Sequence, residues 1–248
     1  MSSARRLTRA VFDFERSRFL RSASFILLAI ATLLVAALLS FTLGPNVFPA
    51  PMSLEAWLGD VVPVCWFAVG FPLCATTVAG AIAGSDIASG SIRLAISIPF
   101  ARRALALGKL QAIAVVLLLL NMVFSTVVLL AMWYHATTGE VAEGSHAMSH
   151  LAVSMTLGFL GGLVWAAGVC WLAVRLGSAA RAAMVGGFVL MVTWMARGQF
   201  GAEIEPWLVP IWGVVLADQP ALLGAPVALC LLVLPWAIDR EMRLLEPR

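Results

Sequence analysis

The three histidines of this 248-residue chain, His135, His146 and His150, fall in one short stretch together with Glu140, Glu143 and Met148. Imidazole and thioether groups suit copper, so metal handling is the first chemistry these residue types allow. The His-x10-His-x3-His spacing matches no specific ligand pattern, and solvated loop histidines are common. The sequence therefore assigns no metal site and leaves His135, His146 and His150 as candidates only.

Other reactive groups are thinner still. Cys65, Cys74, Cys170 and Cys230 all sit in apolar runs without CxxC spacing, which reads as small core-filling thiols rather than a disulfide or metal set. Gly108-Lys109-Leu110 lacks the earlier glycine and the following Ser/Thr of a phosphate-binding loop, so ATP and Mg are not expected on this chain. The interiors of the apolar runs, over 25–42, 61–84, 111–133, 151–174, 182–196 and 221–238, contain no Asp, Glu, Lys, Arg or His. Ion-coupled carriers, proton pumps and intramembrane hydrolases need such groups at depth, so all three classes are disfavoured. The chain by itself is not expected to be an enzyme.

The elements that must position these residues are apolar helices. Hydrophobic residues make up 62% of the chain and charged residues 12%, with a mean hydropathy of +0.98. Several apolar runs reach the roughly 20 residues that cross a bilayer as helix, and none shows the alternation of barrel strands. The expected fold is an all-α integral membrane protein, a single domain over 1–248 with six spans near 22–43, 61–84, 106–134, 151–174, 182–196 and 220–238. The first run is too long for a secretory signal and lacks a small-residue cleavage site, so it reads as a retained span.

Arginine placement orients the spans. With a cytoplasmic N-terminus, 15 of the 16 basic residues fall inside, and only Arg197 falls outside. Both termini are then cytoplasmic. Glu55, Asp60, Glu140, Glu143, Glu203, Glu205 and Asp218 make the outer face acidic.

Residues 5–21 read as an interfacial helix on the inner leaflet, because Leu7, Ala10, Val11, Phe14 and Arg18 recur at helical spacing among arginines. Within the outer segment 197–219, the apolar run 207–217 is too short to cross and is punctuated by Pro206 and Pro210, with Pro220 just beyond. A re-entrant pair of short helices fits, with Trp207 and Trp212 at headgroup depth and Glu203 at the entry. Gly80-x3-Gly84 and Gly158-x3-Gly162 have the spacing that lets helix backbones approach, and read as packing.

One segment, 85–105, breaks the apolar chain with charge and periodicity. Asp86 precedes a helix-period stretch where a carboxylate can cap free N–H groups. Ile92, Ala95 and Ile96 share one face, Ser89, Arg93 and Ser97 lie on or near the other, and Pro99 stops the helix. Phe100-Ala-Arg-Arg then turns the chain, and 105–109 opens the third span with basic residues at the headgroups.

At these residues the chain resembles the permease subunits of ABC-2-type exporters. Their segment between the second and third spans has an acidic residue, Gly followed by Thr or Ser four positions later, an apolar helix, Pro, a basic residue and Leu-Gly-Lys. The matching residues are Asp86, Gly90-Ser91, Ile92 to Ile98, Pro99, Arg102-Arg103 and Leu107-Gly108-Lys109. Asp86 stands where the family usually has Glu. The N-terminal helix, the six spans, the outer segment and the missing nucleotide site follow the same order.

The resemblance implies a cytoplasmic coupling helix between spans 2 and 3 that docks on a separate ATP-hydrolysing subunit. Asp86, Ile87, Gly90, Ser91, Ile92, Arg93, Ile96, Pro99, Arg102 and Arg103 would make the coupling surface. Glu203, Pro206, Trp207, Pro210 and Trp212 would form an outer gate. It also implies a second permease, identical or related, two ATPase subunits carrying ATP and Mg, and a bacterial inner-membrane location among lipids, with no role for nucleic acid. The expected activity is export of a hydrophobic or amphipathic cargo. The alternative is an ABC-linked component for copper or haem maturation that uses the outer histidines.

Overall fold

The computed structural model describes residues 3–42, 53–89, 99–138, 145–200 and 240, and within these the chain is helical apart from short turns. Helix α1 (Ser3–Leu20) is followed by a two-residue turn and helix α2 (Ala23–Ala37), which continues into a π-helical turn, Leu38–Thr42. Ser22 makes this junction. Its hydroxyl donates to the Phe19 carbonyl at 2.7 Å and accepts from the Phe25 amide at 3.2 Å, so one side chain closes α1 and caps α2.

The second pass is an unbroken helical run over 54–89. It comprises α3 (Leu54–Ala56), a π turn at Trp57–Val61, α4 (Val62–Cys65), a second π turn at Trp66–Gly70, and α5 (Phe71–Ser89). Each inner π turn lies just before a proline, Pro63 or Pro72. A proline inside a helix cannot donate its amide and crowds the carbonyl four residues back, and the wider turn relieves both problems. The sequence suggested a span over 61–84, and the helix extends beyond it at both ends.

Helices α6 (Pro99–Thr137), α7 (Ser145–Leu176) and α8 (Ala179–Phe200) complete the described bundle. Gly177, at φ +61°, closes α7 in the left-handed region that glycine enters without penalty, and the Ser178 hydroxyl accepts from the Arg181 amide at 3.4 Å at the start of α8. Successive passes run up and down, with α5 packed between α7 and α8 and also against α6. The most extensive packing of all joins α1 to α6.

Three helices among the described residues, Ala23–Phe41, Ala104–Thr137 and Leu151–Leu176, are long and apolar enough to cross a membrane. Phe71–Gly84 and Ala179–Val192 are shorter apolar helices. The chain is thus an all-α protein of membrane type. The expected sixth span lies outside the described residues.

The core is aromatic and tied by buried polar groups. Trp66, at the start of a π turn, stacks on Phe124 at 4.5 Å with the rings nearly parallel. Its indole N–H points to Asn121 Oδ1 at 3.4 Å, while Asn121 Nδ2 reaches the Met155 carbonyl at 3.5 Å. One buried amide midway along α6 therefore connects three passes. Trp165 of α7 donates to Thr76 of α5 at 2.8 Å, and Trp57 donates to the Leu39 carbonyl at 2.9 Å. In hydrocarbon no water replaces such bonds, so polar side chains act as links between helices.

Both Gly-x3-Gly spacings are packing sites, as their sequence suggested. Gly158 and Gly162 lie against the rings of Phe67 and Phe71, and Gly84 lies against Ala179, where an added Cβ would collide with Ala179 Cβ and come within 3.3 Å of its Cα.

Candidate functional site at the N-terminal end of the bundle

The end of the bundle that carries α1 also gathers the end of α5, the start of α6 and the turn between α7 and α8. Contacts fix this grouping: α1 touches α6 at Gly108, α5 touches α6 through Lys109, and α5 touches α8 at Gly84. Arg5 to Arg21, Arg102, Arg103, Lys109, Arg175 and Arg181 therefore share one end, as the arginine pattern suggested.

Gly108 permits a close approach of α1 to α6. A Cβ there would come within 2.7 Å of Val11 Cγ1 and 2.9 Å of the Thr8 carbonyl, so α1 can lie this near α6 only because the side chain is missing. The next residue, Lys109, uses that proximity. Its Nζ donates to Glu15 Oε1 of α1 at 2.7 Å and to the Ile82 carbonyl of α5 at 2.6 Å. Glu15 is 2% exposed and Lys109 7% by side chain. Arg18 closes the cluster at 2.6 Å from the other carboxylate oxygen of Glu15. A carboxylate taken out of water is tolerable only when paired and hydrogen-bonded, and here two cations flank it.

This geometry corrects several expectations. Lys109 was expected among the headgroups, but it is buried because Glu15 and a backbone carbonyl satisfy its ammonium. The inward face of α1 carries Glu15 and Phe19, with Phe12 packed partly against the core, whereas Leu7 and Phe14 are exposed. Leu7 and Phe14 belong to the series expected to lie in the headgroup layer, and the side that packs on the bundle is a second face of the same helix.

Asp86 and Ile87 lie in the last turns of α5 rather than at a new helix start. The alanines before them carry the helix forward, and an interior Asp costs well under about 1 kcal/mol of propensity, so nothing breaks the helix there. Pro99 opens α6, since its missing N–H is one that a first turn leaves unpaired anyway, and the helix expected to stop at it lies outside the described residues. Residues 100–103, expected as a turn, are helical, which places Arg102 and Arg103 near the start of α6.

Gly90, Ser91, Ile92, Arg93 and Ile96 lie outside the described residues, as do Glu203, Pro206, Trp207, Pro210 and Trp212. The histidines are at the opposite end of the bundle. His135 is half-buried beside Tyr134 and Phe41, with ring centroids at 5.3 and 6.2 Å. His146 and His150 lie in the first two turns of α7, and their side chains are outside the described set. Among the described residues no three His, Cys, Asp or Glu side chains group as metal ligands.

Sequence reasoning missed Glu15, Asn121 and the Ile82 carbonyl. Glu15 had a legible signal: it stands four residues after Val11 and four before Phe19, a charge on a helical apolar stripe that calls for a buried partner. A backbone carbonyl leaves no such trace. Between α7 and α8, Trp165, Gly168, Leu172 and Gly186 help to line an apolar cavity of about 230 Å³. No protein-family model and no curated protein matches the chain.

Proposed function

We propose that the chain is the permease subunit of an ABC-2-type transporter, driven by separate ATPase subunits and exporting a hydrophobic or amphipathic cargo across a bacterial inner membrane. The observation that supports it best is the joint placement of three elements. The basic helix α1, the end of α5 with Asp86, and the start of α6 with Leu107-Gly108-Lys109 lie at one end of an apolar helical bundle, and segment 90–98 leaves and returns there.

In this reading segment 90–98, with Asp86, Ile87, Arg102 and Arg103 at its bases, receives the ATPase. Two permeases, identical or related, enclose a pathway, and both termini are cytoplasmic. Segment 203–220 forms the outer gate, and the helices offer cargo an apolar wall.

Co-expression with a neighbouring ATPase gene tests the proposal. The detergent-solubilised chain should retain the ATPase, and Ile92→Asp combined with Arg93→Glu should release it. Retention by the double variant refutes the assigned surface.

A further inference from the structure

We infer that Lys109 is a positioning residue that fastens α1 to both bases of segment 90–98, so that α1, the end of α5 and the start of α6 move as one body. The inference about rigidity stands on the geometry alone, whereas its role in transmitting ATPase work rests on the transporter reading.

One ammonium meets three elements. It binds Glu15 on α1 at 2.7 Å, belongs to α6, and binds the Ile82 carbonyl on α5 at 2.6 Å. Ile82 is one helical turn before Asp86, so its carbonyl is the regular partner of the Asp86 amide. Lys109 thus grips the last turns of α5 directly, and through its own backbone it grips the start of α6. Segment 90–98 joins the end of α5 about two turns beyond Ile82 and the start of α6 about three turns before Lys109.

Without this bridge α1 would have a weaker tie to the bundle. Its covalent link is the Arg21–Ser22 turn into α2, and α2 is the most peripheral long helix, with 17% of its apolar window buried. Extensive packing along α6, with Val11 against Gly108 and Phe19 buried, already holds α1 in place, and the ion pair adds a directional link that fixes register.

The choice of chemistry supports a positioning role. A buried ion pair stabilises no better than well-packed apolar residues of similar volume, and its best-attested use is to fix register. Arg9 and Asp13, an exposed pair at 4.0 Å on the same helix, provide the contrast.

The test uses the full chain with Cys65, Cys74, Cys170 and Cys230 replaced by alanine, and spin labels at Leu7 and Leu118. Both residues are exposed, on α1 and α6 respectively. The label distance should be narrowly distributed in the parent, unchanged in Asp13→Asn, and at least twofold broader in Lys109→Met. Glu15→Gln is the second variant should Lys109→Met not fold. A narrow distribution in the folded variant overturns the clamp.

A second pair at Leu118 and Met191, measured with the ATPase bound, should show a nucleotide-driven shift that Lys109→Met reduces at least twofold while the ATPase stays attached. An undiminished shift overturns the transmitting role. If the parent chain holds no ATPase, the transporter reading and the transmitting role fail, and the first label pair still decides the clamp.

Discussion

At the scale of single residues, the chain concentrates its polar chemistry in a few buried links. Removing Lys109 leaves the buried Glu15 with Arg18 alone, and removing Glu15 leaves Lys109 with the Ile82 carbonyl, so either loss should cost up to about 3 kcal/mol. Lys109→Met should therefore lower the midpoint of unfolding in mixed detergent micelles, while Asp13→Asn, which loses only the exposed pairs with Arg9 and Arg16, should leave it within error. Asn121 belongs to the same class without a charge. Asn121→Leu gives up bonds to the Trp66 indole and the Met155 carbonyl, and the same melt should register a loss of about 1 kcal/mol, the usual size of an interhelical bond in a membrane protein.

At the scale of elements, glycine placement decides which helices can touch. The two glycines of Gly80-x3-Gly84 are unequal, although their spacing makes them look alike. A Cβ at Gly80 would meet only the Ala179 carbonyl at 3.8 Å, whereas at Gly84 it would run into Ala179 itself. Gly80→Ala should be neutral or stabilise by up to about 1 kcal/mol through helix propensity. Gly84→Ala should cost roughly 1–3 kcal/mol through overpacking of α5 on α8, and the two melting shifts should differ in sign or in size.

Helix existence was legible at this scale because long apolar runs and basic flanks leave few alternatives. Helix ends were not. Pro99 can end one helix or start another, and it stands at the start of α6; Asp86 can cap a helix or be carried through one, and it lies in the last turns of α5. Likewise, Lys109 looked like one more basic residue at a span end until Glu15, 94 positions earlier, was seen to face it.

At the scale of the whole molecule, the described helices form an up-and-down bundle of membrane type whose basic residues, Arg197 apart, gather at the end bearing α1. Spacing and charge made that end legible in advance. The buried clamp within it was not, because it depends on a close approach at Gly108 and on a backbone carbonyl, both products of packing.

In the proposed transporter, this end receives work from an ATP-hydrolysing partner through segment 90–98. The most direct measurement is co-purification of the chain after co-expression with its neighbouring genes, scored as ATPase retained per chain. The parent and Asp13→Asn should retain one ATPase per chain, and Ile92→Asp with Arg93→Glu should retain less than a tenth of that. A parent chain that emerges alone, or a double variant that holds its partner as the parent does, contradicts the claim.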